Sequence, residues 1–194
     1  MPRFQDTIHS VLVVSGSGKF NDLAERALQG FSVTDYKKNA AAARRCILER
    51  YYDLVVVNAP LPDETGERFA LDITQQSNAS VLLVVPSEVY EEVLGHVTGY
   101  GVMTLSKPMH RGQLDHAIEF LAAVQKRMHH LENKIRTAEE KLEEQRIVNR
   151  AKILLIEERH MTENEAHRYI GKQAMDNGIS RRRIAERILE EFEE

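Results

Sequence analysis

The chain has 194 residues, 42% hydrophobic and 29% charged, and its 26 Lys and Arg against 30 Asp and Glu give a formal net charge of −4. This composition excludes a disordered tail protein and a disulfide scaffold, and its mildly acidic average argues against indiscriminate nucleic-acid binding. The single cysteine, Cys46, reads as a small buried hydrophobe in a reducing compartment; Met1 to Ser10 lacks a secretory pattern and no apolar run reaches the roughly 18 residues of a membrane span, so the expected location is cytoplasmic with no membrane partner.

Four apolar runs typical of buried strands come first: Val11 to Val14, Asp53 to Val57, Val81 to Val85 and Val102 to Leu105, with a weaker fifth between Phe31 and Tyr36. Between them, Phe20 to Gln29, Asn39 to Tyr51, Glu64 to Gln75 and Glu88 to Thr98 have helical spacing. Continuously apolar strands are buried on both faces, as a parallel sheet flanked by helices requires. The first half is therefore predicted to be α/β. From Gln113 the strand signal stops. Leu121, Val124, Met128, Leu131, Ile135, Ala138, Leu142 and Gln145 alternate steps of three and four, the spacing of a coiled-coil seam, and a second copy of the helix is the most economical cover for it. A homodimer is expected, with Leu121, Val124, Met128, Leu131, Ile135 and Leu142 at its centre.

The long helix is predicted to continue through Ile147 to Glu158, with Ala151, Leu154 and Leu155 on one side. Thr162 to Glu165 spells a capping box that starts a second helix striped with Ala166, Ile170, Gln173 and Ala174. Asn177-Gly178 supplies its stop, and Ser180 caps a third helix facing inward with Ile184, Ile188 and Phe192. The alanines at 151, 166, 174 and 185 read as close-packing positions between helices.

Little in the chain points to chemistry. Ser15-Gly-Ser-Gly-Lys19 falls short of a phosphate loop, because Val13 and Phe20 stand where a Gly and a hydroxyl are needed. The eight histidines are scattered without metal-ligand spacing, and Asp53, Asp63 and Glu64 read as a strand-edge charge and loop residues. No catalytic residues, metal or cofactor are expected.

Five strand-helix units in this order, with Lys107-Pro108 just past the fifth strand, resemble the receiver domain of two-component response regulators over residues 8 to about 120. The resemblance implies a flavodoxin-like fold with a five-stranded parallel sheet. It also implies an acidic pair after the first strand, a phosphoryl-accepting Asp after the third, a Thr or Ser after the fourth and a Lys after the fifth. Of these only Lys107 is present: the acidic positions hold Ser15 and Gly16, the acceptor position holds Asn58, and the hydroxyl position holds Val85, with Ser87 two residues on. Asn cannot form an acyl phosphate and adds no charge to a metal site. A pseudo-receiver is expected, answering to a partner, such as a sensor or ligand-binding protein, or to a ligand rather than to phosphorylation, or serving simply as a dimer scaffold.

The runs Arg150-Ala-Lys-Ile-Leu-Leu155, Met161-Thr-Glu-Asn-Glu-Ala166, Gln173-Ala-Met175 and Ile184-Ala-Glu-Arg-Ile-Leu189 resemble the ANTAR domain of RNA-binding transcription antitermination regulators. That resemblance implies binding to hairpins in nascent transcripts that overlap a terminator. Residues 150–194 hold nine Lys and Arg against ten Asp and Glu, so any RNA-binding surface is local. Candidates for phosphate are Arg150, Lys152, Arg168, Lys172, Arg181, Arg182 and Arg183, and for base stacking or polar contact His160, His167 and Tyr169. The blander alternative leaves the arginines facing solvent or pairs them with Glu186 and Glu190. The chain departs from the family pattern at Gly171, where a basic residue is usual, and at Ile153, often Gly. The expected organisation is a pseudo-receiver over 1–112, a coiled-coil dimerisation helix over 113–149 and a three-helix RNA-binding bundle over 150–194. The competing expectation is a non-catalytic interaction scaffold of a sensory complex that binds no nucleic acid.

Overall fold

The computed structural model describes residues 10–193 and divides into two compact units, Met1–His129 and His130–Glu194. In the first, the strands β1 (Ser10–Val14), β2 (Val33–Lys37), β3 (Leu54–Asn58), β4 (Ser80–Pro86) and β5 (Met103–Lys107) form one parallel sheet in the order β2-β1-β3-β4-β5. Between them run α1 (Gly18–Ala27), α2 (Ala40–Glu49), α3 (Glu67–Gln76) and α4 (Tyr90–Val97). Because side chains alternate along a strand, the central strands feed two cores. Leu12, Val14, Val55, Val57 and Leu83 meet α2, α3 and α4, while Val11, Val13, Val56, Leu82 and Val84 meet α1 and the start of the long helix α5 (Arg111–Arg159). The strand with the weakest apolar signal, β2, lies at the sheet edge and is only half-buried, which is why its sequence, Val-Thr-Asp-Tyr-Lys, is mixed.

Two local devices fix this unit. The Asp63 carboxylate, in the loop after β3, accepts hydrogen bonds from the Ala40 and Ala41 amides at the start of α2 (3.0 and 2.9 Å), which lowers its pKa. Arg44 then reaches from α2 to Asp72 (2.6 Å) and Glu64 (3.2 Å) and lies over the Phe69 ring. The loop after β3 is thereby tied to α2. At the other end of the sheet, the buried Gln125 of α5 accepts from Ser80 Oγ (2.9 Å) and donates to the Asn78 carbonyl (3.0 Å), and His129 Nε2 lies 3.1 Å from Asp53 Oδ1. Cys46 is half-buried and packs against the α2–α3 core as a free thiol.

One predicted seam residue is reassigned. Leu121 is buried with Leu114, Ala117, Ile118 and Ala122 against the sheet, so it belongs to the first unit's own core. The seam period runs on without a break from the sheet-packing stripe, and spacing alone does not mark where the domain's cover ends.

In the second unit the remainder of α5 packs with α6 (Glu163–Asn177) and α7 (Arg181–Glu193) around Ala151, Leu155, Ala166, Ile170, Ala174, Ile184, Ala185 and Ile188. The four alanines let helix backbones approach closely. The capping box forms as expected: Thr162 Oγ1 accepts from the Glu165 amide, and Glu165 Oε2 accepts from the Thr162 amide at 2.8 Å, lowering the Glu165 pKa. Gly178 ends α6 at φ 64°, in the left-handed region that glycine enters without steric cost, and Ser180 Oγ accepts from the Arg183 amide to start α7.

Candidate functional site

The carboxyl ends of β1, β3, β4 and β5 bring Ser15, Asn58, Val85 and Lys107 to one edge of the sheet. Ser15 and Asn58 are buried, and the Asn58 amide donates to Ser15 Oγ at 2.9 Å. Asn58 Oδ1 is buried without a hydrogen-bond partner among the described residues. Lys107 is half-buried rather than exposed, and its Nζ donates to the Ala59 carbonyl; burial lowers its pKa. Val85 is buried and carries no hydroxyl, and Ser87 is exposed at the start of a 3-10 turn, Ser87–Val89.

At Gly16 the structure gives a steric reason for the missing acid. A Cβ there would lie 3.0 Å from Pro62 Cγ, so the ring of Pro62 covers the place an acidic side chain would leave from. Among the described residues no group of three or more His, Cys, Asp or Glu could hold a metal ion. The edge is a set of neutral amide, hydroxyl and apolar side chains with one lysine engaged by backbone. Ser17, in the glycine-rich stretch before α1, caps that helix through Phe20 N (3.4 Å).

The second unit presents a concavity of about 360 Å³. Lys141, Gln145, Asn149 and Lys152 line it from α5, His167 from α6 and Arg181 from α7, with Val148 and Glu144 completing the lining. Three candidate residues, Lys152, His167 and Arg181, are thus brought together. Lys141, Gln145 and Asn149 were not candidates for RNA contact in the sequence, because they fall in the stretch read as coiled coil, where Gln145 was a seam position. Their steps of four, with a step of three on to Lys152, were the available signal: such steps put all four on one helix face.

The remaining cations are deployed differently. Arg182 Nε and Arg183 Nη1 both bind the Glu186 carboxylate, at 2.8 and 3.2 Å, and the pair with Arg182 raises the arginine pKa and lowers that of Glu186. These two arginines thus follow the blander expectation. Lys152 Nζ is 3.2 Å from Glu163, and Arg159 is held by Glu191 (2.6 Å) and the Tyr169 hydroxyl. Arg150, Arg168 and Lys172 are exposed, and Arg168 Nε donates to the Asn164 carbonyl. His160 is exposed in the turn after α5, at φ 53°. Among the described residues Arg181 makes no ion pair.

The five-stranded parallel sheet in this order, with helices on both faces, defines a receiver fold. Two solved receiver domains share it: that of an HD domain-containing protein from Pseudomonas fluorescens Pf-5 (TM-score 0.56, 20% identity, 66% of this chain and 94% of that one) and a CheY-like response regulator receiver domain from Methanospirillum hungatei JF-1 (TM-score 0.56, 16% identity, 63% and 99%). The ANTAR domain model matches residues 136–189. The transcriptional regulatory protein PdtaR of Mycobacterium tuberculosis is 31% identical over 139 residues, 71% of this chain and 67% of PdtaR. The chain belongs to the ANTAR-domain transcriptional regulators that carry a receiver domain.

Proposed function

We propose that the protein is a dimeric RNA-binding antiterminator that engages hairpins in nascent transcripts and takes its input without phosphorylation. The observation that carries this reading is the concavity within the ANTAR match, where Lys141, Lys152 and Arg181 converge with His167 and the amides of Gln145 and Asn149 around a single carboxylate, Glu144. Cations suit phosphates, amides suit base edges and an imidazole suits stacking, and folded RNA offers all three. Arg150, Arg168, Lys172 and His160 are exposed and serve as outer contacts. In functional terms a receiver over 1–112, a dimerisation helix over 113–149 and an RNA-binding bundle over 150–194 overlap at their borders, since the start of the long helix packs in the receiver core and Lys141, Gln145 and Asn149 line the concavity; the chain acts in the cytoplasm where transcripts are made.

Dimerisation is supported by the exposed apolar side chains of Val124, Met128, Leu131, Ile135 and Leu142 on α5. Two linked bundles could hold two hairpins, the second at high effective concentration. No metal or cofactor enters this reading, and the receiver's input is a sensor or ligand-binding partner.

The test is a gel shift with RNA from the transcript leader beside this gene. Lys152→Ala and Arg181→Ala are each expected to weaken binding by about tenfold, the range of a lost charge-assisted hydrogen bond, and to flatten the salt dependence by about one charge. Arg182→Ala should do less, because that guanidinium is held by Glu186 and is not part of the concavity's lining. No binding by the intact protein would leave the interaction scaffold as the reading.

A second measurement addresses input. Asn58→Asp restores an acceptor carboxylate, yet acetyl phosphate is expected to add no phosphoryl mass to it, because Ser15 and Gly16 supply no acidic pair for a metal ion. Acetyl phosphate added to the parent protein is the direct test, and stable labelling of it at an acidic residue would overturn the phosphorylation-independent reading.

A further inference from the structure

Two residues of the second unit go against the local rules of helix stability, and they touch. Gly171 sits in the interior of α6, where glycine is a much poorer helix former than alanine, and no turn or positive φ requires it. Arg181 is the first residue of α7, where the helix end carries partial positive charge and a cation is disfavoured. The two arginines that follow share the Glu186 carboxylate, whereas Arg181 forms no ion pair among the described residues. A Cβ added at Gly171 would lie 3.8 Å from Arg181 Nη2 and 4.0 Å from Nε. The guanidinium therefore crosses the α6 backbone at the one position without a side chain, and it lines the concavity from there. When departures from local stability coincide at one point, function is the usual reason.

We propose that Gly171 is a positioning residue: its missing side chain leaves a shelf on α6 on which Arg181 lies, aimed into the concavity to meet an RNA phosphate. The inference rests on the RNA-binding reading but goes beyond it, since it assigns a role to a residue that touches no ligand. A methyl group fits the shelf, because 3.8 Å is ordinary van der Waals contact, whereas a longer branched side chain takes the guanidinium's place. Swung off the shelf, Arg181 keeps its charge and loses its aim.

The experiment measures hairpin affinity of the full-length protein as a function of salt for Gly171→Ala, Gly171→Leu, Arg181→Ala and the double variant Gly171→Leu with Arg181→Ala, using the transcript-leader RNA. Gly171→Ala is expected to bind as the parent does while unfolding at higher temperature, because alanine is the better helix former. Gly171→Leu is expected to lose about tenfold in affinity, with the salt slope reduced by about one charge, as Arg181→Ala does. The double variant should be no weaker than either single one, the signature of two residues acting through one contact. Leucine is also a good helix former, so a far-UV circular dichroism spectrum equal to the parent's separates misplacement from unfolding. Parent-like affinity in Gly171→Leu, or additive losses in the double variant, would overturn the positioning role. An Arg181→Ala variant with undiminished affinity would instead remove Arg181 from the RNA-binding reading itself.

Discussion

Replacing Leu131 and Ile135 together with glutamate is expected to convert the proposed dimer to a monomer and to weaken its proposed binding to a paired-hairpin RNA by about two orders of magnitude. Val124, Met128, Leu131, Ile135 and Leu142 are between 38 and 58 per cent exposed on one chain, an unusual density of large apolar side chains for a helix surface. Fully burying an exposed side chain of this kind is worth roughly 1.5–3 kcal/mol, and covering the exposed half of each against a second copy gains about half of that before the costs of association. Two glutamates per helix remove part of that gain and place four carboxylates at the seam, where desolvation and mutual repulsion both oppose pairing. Because neither residue belongs to either unit's core, circular dichroism should be unchanged while sedimentation reports half the mass. Leu121→Glu makes the contrast: that side chain is 5% exposed against the sheet, so the variant should unfold the receiver unit rather than separate an intact pair. A Leu131→Glu, Ile135→Glu variant that stays dimeric would show that the seam lies elsewhere.

What the sequence made legible follows from which interactions are local. The strands of the receiver read directly, because burial on both faces leaves runs such as Val11 to Val14 and Val81 to Val85 with almost no polar interruption. The capping box at Thr162 and the stop at Gly178 were also readable, since each is closed within a few residues of chain. Leu121 was not, because a heptad seam and a sheet-packing stripe have the same spacing and differ only in what covers them. Long-range polar contacts were equally hidden. Nothing near Asp63 in the sequence points to the Ala40 and Ala41 amides, and nothing near Gln125 points to Ser80. The candidate RNA site was half legible: Lys152, His167 and Arg181 stood out by charge or type, while Gln145 and Asn149 were masked by the coiled-coil reading of their segment. The three consecutive arginines look alike as letters, and only the position of Glu186 separates the two that share its carboxylate from Arg181, which makes no ion pair among the described residues.

Leu155→Ala is the single substitution expected to cost the second unit most. Leu155 is fully buried between Ala151, Ala166, Ile170 and the α7 isoleucines, and deleting such a side chain costs about 2–5 kcal/mol, since helices already in close contact through alanines cannot collapse further into the gap. A core this small supplies only a few kcal/mol in all. At about 4–8 °C per kcal/mol for a domain of this size, the bundle's melting transition should fall by about 10 °C or more. The receiver's transition should stay in place, because its two cores are built from other residues. Ile153→Ala serves as the matched control on the same helix: 52% exposed, it should move the transition by less than about 0.5 kcal/mol. Hairpin binding should track the bundle, since Lys152, His167 and Arg181 come from three helices and converge only when Leu155 holds those helices together. A Leu155→Ala protein that kept both its melting profile and its RNA affinity would mean that this core is not what assembles the concavity.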